Sequence, residues 1–506
     1  MHPALTQQDI LRIVFEYIQN DYWREIAFFN ISLVCRAFKE PALDALWHEL
    51  RSLTPLLKLV PVIRKADWTY ELPDNIAPRD LDRFKCHARR VKKLVYRECL
   101  QKEKAWFPIL VRLPDILDGP ILPYLRTMQW FVAEEGGPLS HAIIARPLAT
   151  LESATIQFDT LYSSRSKASE FALTRIDWFV KTLATNAPWL TRLLLKNLPK
   201  SFALSFSQFA RLQSLTFTCQ VLPDQPFTTP QHFASMSTIT GLTFLKLNLH
   251  EFSAPNGATC QFHSLNSVHL IGTSDAVVSV IPSLRPSPIT VFFVELVGNN
   301  AALASLFNNI TSITFQALVH LTIKYNPCIN FPEWKGSDLL PSLLTCTKLL
   351  KCDIHLNDVT VALTQDDIFS MARSWPLIEE LRWNCKVKPL LSVRSLQAFV
   401  KYSPSLRVLG IPVCTLPPFL AVEDYEYLPV STHKLRQVEI YTPFSENYFI
   451  ECAQWLVVFF PYLDKVRISG DEDDDLYAVH RAVKRLQFMK KLWAWQAARE
   501  SGQKDV

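Results

Sequence analysis

The chain has 506 residues, enough for three or four compact domains of about 100–200 residues or for one long repetitive domain. Only 11 residues are glycine, and none of them are grouped as dinucleotide-binding, phosphate-binding or nucleophile-elbow loops require, which excludes those motifs. With 49% hydrophobic residues and a net charge of +5, the composition favours an ordered protein and gives no support for a nucleic-acid or membrane-surface role.

Three short segments in the first 50 residues carry apolar side chains at helical spacing. Their members are Ile10, Leu11, Val14, Tyr17 and Ile18; then Ile31, Val34, Cys35 and Phe38; then Leu43, Leu46 and Trp47, after Pro41. The stripes predict three short helices, and periodicity alone fits any small helical bundle. Residues 51–89 are interpreted as a helical linker.

From about residue 90 to residue 470 the pattern apolar-x-x-apolar-x-apolar recurs. Ten copies begin at Leu190, Leu212, Leu242, Leu265, Leu318, Leu349, Ile378, Leu406, Leu435 and Leu463. The steps are 22–31 residues, except for one of 53 after Leu265, where the run from Ile289 to Val294 supplies a degenerate copy. Earlier candidates are Val91-Leu94-Tyr96, Leu125-Met128-Trp130 and Leu148-Leu151. Period and pattern are those of a leucine-rich repeat, with one strand and one helix per unit.

The last four residues of each copy alternate as in a strand, so the residue between the second and third apolar positions points outward. These outward residues are Thr216, Lys246, His269, Thr322, Asp353, Arg382, Gly410, Glu439 and Arg467, leaving out Leu194 of the first copy. None of the nine is a large apolar residue, which supports the alternation. A curved parallel sheet with helices outside would present them on an extended concave face.

Helical signals separate the strands. Thr364-Gln365-Asp366-Asp367 has capping-box spacing and is followed by Ile368, Met371, Ala372 and Trp375, while Ser392 and Ser445 open two similar stretches. After the acidic run 471–475, residues 476–499 predict one amphipathic helix. We interpret this helix as a cap over the last repeat, with a partner-binding helix as the alternative.

The remaining signals concern compartment and chemistry. Eleven cysteines without a C-x-x-C pair predict neither a disulfide framework nor a zinc site, and no apolar run reaches the length of a membrane span. Since the start of the chain has no signal-peptide pattern, we expect the cytoplasm or the nucleus. No cofactor, metal or catalytic residue is predicted, and we expect no enzyme activity. The basic run from Arg83 to Lys93 lacks interleaved aromatic residues, so neither a nucleic-acid nor a membrane partner is expected.

Residue identities in the first 50 positions go further than periodicity. The segments Asp9–Phe15, Leu33–Phe38 and Pro41–Trp47 resemble the F-box, in the form found in F-box proteins of mushroom-type (basidiomycete) fungi. The resemblance covers about 50 of the 506 residues and is most specific from Leu33 to Phe38. Gln7-Gln8 departs from the family's usual Leu-Pro, and Pro3 and Leu5 are the residues that could replace that apolar contact.

Together, the resemblance and the repeat pattern predict an α/β protein with a three-helix F-box (1–50), the linker (51–89), a leucine-rich-repeat solenoid (90–470), and an acidic turn with a C-terminal capping helix (471–506). The resemblance implies a substrate-recognition adaptor of a cullin-type (SCF) ubiquitin ligase, which binds a Skp-family linker protein and the cullin complex and holds an unknown protein substrate. The alternative is a leucine-rich-repeat scaffold without coupling to ubiquitination.

The resemblance and the repeat pattern also assign residues to these two roles. The implied linker-binding residues are Pro3, Leu5, Ile10, Leu11, Val14, Leu33, Val34, Cys35, Phe38, Leu46 and Trp47. The expected substrate-binding residues of the concave face are Lys246, His269, Thr322, Lys324, Asp353, His355, Arg382, Asn384, Glu439 and Arg467.

Overall fold

A computed structural model describes residues 7–18, 23–65, 69–98, 105–132, 146–158, 170–197, 206–218, 228–249, 252, 260–298, 303–310, 316–327, 334–387, 391, 393–412, 431–440, 449–468 and 480–489. The chain divides into two compact units, residues 1–246 and residues 247–506.

The first unit begins with three helices, α1 (Gln8–Ile18), α2 (Arg24–Val34) and α3 (Arg36–His48). Their small core consists of Leu11, Phe15, Phe28 and Ala42, with Ile18, Ile31, Phe38, Ala45 and Leu46 packed partly against it. The rings of Phe15 and Phe28 meet edge to face at 5.6 Å.

The boundary between the second and third helices differs from the prediction. The stripe from Ile31 to Phe38 was expected to form one helix, but Cys35 is extended (φ −161°, ψ 168°), so α2 ends at Val34 and α3 begins at Arg36. The third helix therefore starts before Pro41 and runs through it. A single extended residue leaves the apolar spacing almost unchanged, which is why periodicity did not reveal the break.

The next segment contains both helices and strands. β1 (Glu49–Leu50) follows α3 directly, and α4 (Thr54–Leu57) precedes an antiparallel hairpin of β2 (Ile63–Arg64) and β3 (Tyr70–Glu71). A 3-10 turn (Pro78–Leu81) then leads into α5 (Asp82–Ala88). The ring of Tyr70 stacks on Trp106 at 4.2 Å, so the hairpin packs on the repeat region of this unit.

Five parallel strands in chain order form the sheet of the first unit, and β1 pairs with the first of them. The strands are β4 (Lys93–Arg97), β5 (Thr127–Val132), β6 (Ser153–Phe158), β7 (Arg192–Lys196) and β8 (Ser214–Thr218), and the helices are α6 (Phe107–Leu117), α7 (Glu170–Asn186) and α8 (Pro230–Ser237). The unit boundary falls inside β9 (Phe244–Asn248). Alternate residues of each strand are buried, such as Met128 and Trp130 in β5. The strand residues between them lie on the opposite side of the sheet, which we call the open face.

Of the early strand candidates, those at Val91 and Leu125 are confirmed, and the one at Leu148-Leu151 is wrong. Leu148 and Leu151 are buried in the loop before the strand, which points Ala154 and Ile156 inward instead. The small side chain of Ala154 occupies the position where a large apolar residue was expected, so the pattern was placed one step too early.

The second unit contains a longer run of parallel strands. These are β10 (Ser267–Gly272), β11 (Val291–Gly298), β12 (His320–Pro327), the short β13 (Trp334–Lys335), β14 (Lys351–Ala362), β15 (Glu380–Val387), β16 (Val408–Ile411), β17 (Gln437–Ile440) and β18 (Lys465–Ile468). They pair in chain order, except that β12 pairs with β14 directly and β13 pairs with β14 farther along. The degenerate copy after Ile289 is confirmed as β11, between β10 and β12.

The predicted outward residues of this unit share one register row. In strand order the row is His269, Phe293, Thr322, Asp353, Arg382, Gly410, Glu439 and Arg467. Phe293, from the degenerate copy, is the one member that the sequence pattern did not assign. A second row on the same face contains Ile271, Glu295, Lys324, His355 and Asn384.

The helices of the second unit follow the strands. They are α9 (Ser274–Leu284), α10 (Leu303–Ile310), α11 (Gly336–Leu344), α12 (Gln365–Ser374), α13 (Gln397–Tyr402) and α14 (Phe449–Phe459), with a 3-10 turn at Val393–Leu396. The capping box at Thr364 is confirmed, because the Thr364 N–H donates to Asp367 Oδ2 (2.8 Å) and the Asp367 N–H donates to Thr364 Oγ1 (3.2 Å). The apolar residues after it are buried, and Trp375 Nε1 donates to the Leu343 carbonyl of α11 (3.2 Å). Ser392 and Ser445 lie outside the described residues.

Residues 480–489 are helical and lie against the end of the second unit. Val483 is buried, the Val466 N–H donates to His480 Nδ1 (3.3 Å), and Lys484 Nζ donates to the Leu463 carbonyl (3.0 Å). These contacts satisfy groups at the last strand, as a capping helix does. The acidic run 471–475 lies outside the described residues. No described helix is long and apolar enough to cross a membrane.

Candidate interaction surfaces

The helical bundle exposes large apolar side chains that its own core does not use. Leu33 is 69% exposed, Val34 66% and Val14 43%. Ile26 and Phe29, also exposed, precede Leu33 by seven and four residues and therefore lie on the same side of α2. We call Ile26, Phe29, Leu33 and Val34 the α2 stripe. A stripe of this kind beside a filled core is typical of a surface that a partner covers.

The predicted linker-binding residues separate into three groups. Val14, Leu33 and Val34 are exposed; Ile10, Cys35, Phe38, Leu46 and Trp47 are half-buried; Leu11 is buried in the core. Pro3 and Leu5 lie outside the described residues. The sequence reasoning missed Ile26 and Phe29, although their spacing from Leu33 is a helical signal, because it began the second stripe at Ile31.

One side of α3 is engaged by α5 and the residues after it. The rings of Trp47 and His87 are 4.5 Å apart, and the Arg90 guanidinium donates to the carboxylates of both Asp44 and Glu40. Partial burial opposes the charge of Arg90, but these carboxylates outweigh it and raise the pKa of Arg90. Burial lowers the pKa of His87, and the nearby positive charges of Arg90 and Arg83 lower it further. The Trp47 side of α3 is therefore an internal contact.

The basic run between Arg83 and Lys93 is partly used by the same internal contacts. Besides Arg90, Lys92 Nζ lies 4.4 Å from the centre of the Tyr124 ring, and Lys93 Nζ lies 3.0 Å from Glu49 Oε2. Lys85 Nζ also donates to the Pro78 carbonyl (3.4 Å). Four of the run's six cations therefore contact partners within the unit, and the run is not a free basic patch.

In the second unit, Glu439 is the centre of an ion network on the open face. Its side chain accepts from Arg382 Nε (3.2 Å), Arg467 Nη1 (3.3 Å) and Gln437 Nε2 (2.5 Å). Arg382 and Glu439 are two strands apart in register, with Gly410 between them. Gly410 has no side chain and is buried, so the long Arg382 side chain crosses over it.

The network continues to the neighbouring strands. Arg382 Nη1 also donates to Glu380 Oε2 (3.0 Å), which lies 2.9 Å from Lys351 Nζ. Burial opposes the ionisation of Glu380, but the hydrogen bond from Lys351 and the charges of Lys351 and Arg382 lower its pKa overall. Five charged residues (Lys351, Glu380, Arg382, Glu439 and Arg467) therefore form a connected set, which we call the charged ladder.

Asp353 and His355 lie beside the charged ladder, on β14. His355 Nε2 is 2.6 Å from Asp353 Oδ1. Burial raises the pKa of Asp353, but the His355 hydrogen bond and the charges of His355, Arg382 and Lys351 outweigh it, so the pKa of Asp353 is lowered. The carboxylate is therefore ionised at neutral pH and faces a histidine.

The earlier strands of the second unit present a different surface. The His269 ring stacks on Phe293 with 5.1 Å between ring centres, and Lys324 Nζ is 5.6 Å from the centre of the Phe293 ring. Thr322 and Asn384 are half-buried and Lys324 is exposed. The structure thus brings nine of the ten expected substrate-binding residues to one open face, while Lys246 is the last residue of the first unit.

Among the residues that the structure describes, no three His, Cys, Asp or Glu side chains lie close enough together to hold a metal ion. The described units have parallel strands paired in chain order, apolar residues at the inward positions and helices between strands, which is the α/β arrangement that the repeat pattern predicts.

Among solved structures, the leucine-rich repeat-containing protein LegL7 from Legionella pneumophila matches with a TM-score of 0.29 and 15% identity, over 75% of this chain and 99% of that chain. No family model matches the sequence, and no curated protein matches it either. The strands and helices described above therefore define the fold class.

Proposed function

We propose that the protein binds other proteins through two separate surfaces, the α2 stripe of the first unit and the open face of the second unit. The exposure of Leu33 and Val34, at 69% and 66%, supports the first surface. The second is supported by a continuous set of polar side chains in register on neighbouring strands. Extended surfaces of this kind suit macromolecular partners better than small molecules.

More specifically, we propose a substrate-recognition adaptor of a cullin-type ubiquitin ligase. The observation that carries this proposal is that Leu33 and Val34, in the segment most similar to the F-box, are exposed beside a core that is already filled. In this role α1 and α2 bind a Skp-family linker, and the open face of the second unit holds a protein substrate. Tethering the linker and the substrate to one chain raises the effective concentration of substrate lysines near the ubiquitin carrier, so the chain itself needs no catalytic group. The proposed place of action is the cytoplasm or the nucleus.

The first experiment replaces Leu33 and Val34 by lysine and measures co-purification of a Skp-family linker and a cullin with the intact protein. We expect capture to fall at least tenfold, because two desolvated apolar contacts become charged. Thermal stability should change little, since both positions are exposed and cations are favourable at the end of a helix.

The matched control carries Val111→Lys and Leu377→Lys, two apolar residues exposed to similar degrees (50% and 52%) outside the bundle. This control should capture the linker as the wild type does. If the wild-type protein captures no linker under native conditions, the adaptor proposal fails. Equal loss in the control would also overturn the assignment of the α2 stripe.

The alternative is a protein-binding scaffold without coupling to ubiquitination. Lys324→Glu distinguishes the surfaces, because it reverses an exposed charge of the open face without touching α2. In an adaptor this variant keeps the linker and loses substrates. A scaffold shows partners that depend on Lys324 in the absence of any linker or cullin.

A further inference from the structure

The open face of the first unit differs from that of the second in the sign and pairing of its charges. Its cations are Lys93 and Arg97 on β4 and Arg192 and Lys196 on β7, with Lys246 at the end of the unit. Among the described open-face positions of β4 to β8, none is acidic. Residues 1–246 carry 30 Lys and Arg against 23 Asp and Glu, whereas residues 247–506 carry 23 against 25.

The cations of this face also lack the ion pairs seen in the second unit. Within the described part of the chain, no carboxylate forms a salt bridge with Arg97, Arg192, Lys196 or Lys246, and only Lys93 is paired, with Glu49. In the charged ladder, by contrast, every cation contacts an acid. Unpaired cations on an acid-free surface attract a negative partner instead of neutralising each other.

The register fixes the spacing of these charges. Lys93 aligns with Arg192, and Arg97 aligns with Lys196, each pair being three strands apart. Three strand spacings are about 14 Å, and the four residue steps from Arg192 to Lys196 span about 13 Å. The Cα atoms of the four cations therefore lie at the corners of a rectangle of about 14 by 13 Å, which is much wider than a single phosphate or carboxylate.

The interior of that rectangle is polar and partly apolar. Gln129, Thr155 and Gln157 supply amide and hydroxyl groups, and Leu194 lies between Arg192 and Lys196. Amides and hydroxyls can bond the main chain of an extended peptide, and four residues of such a peptide also span about 13 Å. Single-stranded nucleic acid needs free aromatic faces for its bases, but the Phe131 ring is covered by the Arg97 guanidinium at 4.0 Å.

We propose that this basic open face binds an acidic polypeptide segment of a partner protein, with carboxylates about four residues apart. The proposal deepens the proposed function, on which it rests for the partner being a protein, by assigning a third protein-binding surface and its chemistry. It requires distributed negative charge on an extended chain, not one modified residue.

The test measures binding of a fluorescein-labelled ten-residue glutamate peptide to the full chain by fluorescence anisotropy. The glutamate peptide should bind, more weakly as salt rises, and a ten-residue glutamine peptide should not. Arg192→Glu with Lys196→Glu should weaken binding at least tenfold. The matched control, Arg83→Glu with Arg89→Glu, makes the same charge change at exposed positions of and beside α5 and should stay within twofold.

Three results would overturn the proposal: no binding of the glutamate peptide, equal weakening in both double variants, or tighter binding of a ten-nucleotide single-stranded DNA that Arg192→Glu with Lys196→Glu abolishes. Thermal unfolding shows whether Arg192→Glu with Lys196→Glu folds. If it does not, Arg192→Gln with Lys196→Gln takes its place in the test. Linker capture is measured on the same variants. Loss of peptide binding with retained capture separates this surface from the α2 stripe, and absent capture overturns only the adaptor role.

Discussion

Arg382 and Glu439 are hydrogen-bonded (Nε to Oε2, 3.2 Å) although a whole strand lies between them. The bond exists because Gly410, the register partner of both, has no side chain to obstruct it. Gly410 provides no outward side chain, and this absence allows the charged ladder to cross β16.

Gly410→Leu should therefore break the ladder. The added side chain occupies the path of Arg382 and should destabilise the second unit by about 1–3 kcal/mol, as overpacking typically does. Thermal unfolding measures the loss. Thr322→Leu, in the same row but without a bridging neighbour, should cost clearly less. If the two variants lose the same stability, the bond from Arg382 to Glu439 does not depend on the missing side chain at Gly410.

Glu439→Gln should destabilise the protein by about 1–3 kcal/mol, because it removes a nearly buried carboxylate (8% exposed residue) that accepts from two arginines. Asp464→Asn is the comparison, since Asp464 pairs with Arg436 at 3.0 Å with both side chains more than half exposed. That surface pair should contribute less than about 1 kcal/mol. Urea unfolding of the two variants should rank them in this order, and the reverse order would contradict a structural role for Glu439.

The first unit contains a more deeply buried pair. Arg175 Nη1 of α7 lies 3.2 Å from Glu98 Oε2, with both side chains at most 3% exposed. Glu98→Gln should cost about 3–5 kcal/mol, because it removes the negative charge that faces a buried guanidinium. Glu98→Leu with Arg175→Met should recover most of that loss, as measured by thermal unfolding. A double variant as unstable as the single one would mean that contacts other than the charge pair dominate.

The stability of the second unit should depend on the protonation of His433. Its Nδ1 accepts the Leu435 N–H (3.2 Å) and its Nε2 lies 2.8 Å from the Ser403 carbonyl, an arrangement that needs the neutral ring with the proton on Nε2. Burial lowers the pKa of His433, opposed in part by the bond to Ser403. Since the unfolded state binds the proton more readily, stability is full above about pH 6.5 and falls as the pH drops below it.

Thermal unfolding at pH 7.5 and pH 5.5 tests this dependence. His433→Gln should show a smaller difference between the two pH values than the wild type, since glutamine does not titrate. His263→Gln, at an exposed position of the same unit, should leave the difference unchanged. If the His433→Gln variant shows the same pH dependence of stability as the wild type, groups other than His433 cause that dependence.

The helical bundle shows where sequence reasoning succeeds and where it stops. Apolar spacing placed helices in the first 50 residues, but it could not assign Phe38 and Leu46 to the core and Leu33 and Val34 to the surface. All four are apolar and lie near one another in the chain. Which of them faces solvent depends on the extended residue Cys35, which changes the direction of the chain between α2 and α3.

The pairing of charges was also invisible in the sequence. Asp353, Arg382, Glu439 and Arg467 were predicted to point outward from separate strands, and they do share one row. The two arginine bonds to Glu439 join residues 28 and 57 positions apart, so no local pattern contains them. That no carboxylate of the described residues pairs with Arg192 or Lys196 is equally a property of the folded sheet.

The sequence by itself determined the repeat, the parallel strands and, except in β6, the side of the predicted strands that points inward, because a strand buried on one face must alternate with a period of two. It also determined the Thr364 cap, which depends on residues three apart. Only the tertiary structure decided that Gly410 lets Arg382 reach Glu439, and that Arg97, Arg192 and Lys196 form no salt bridge within the described part of the chain. Charge interactions depend on distance in space, and that distance is set when strands far apart in the chain come into register.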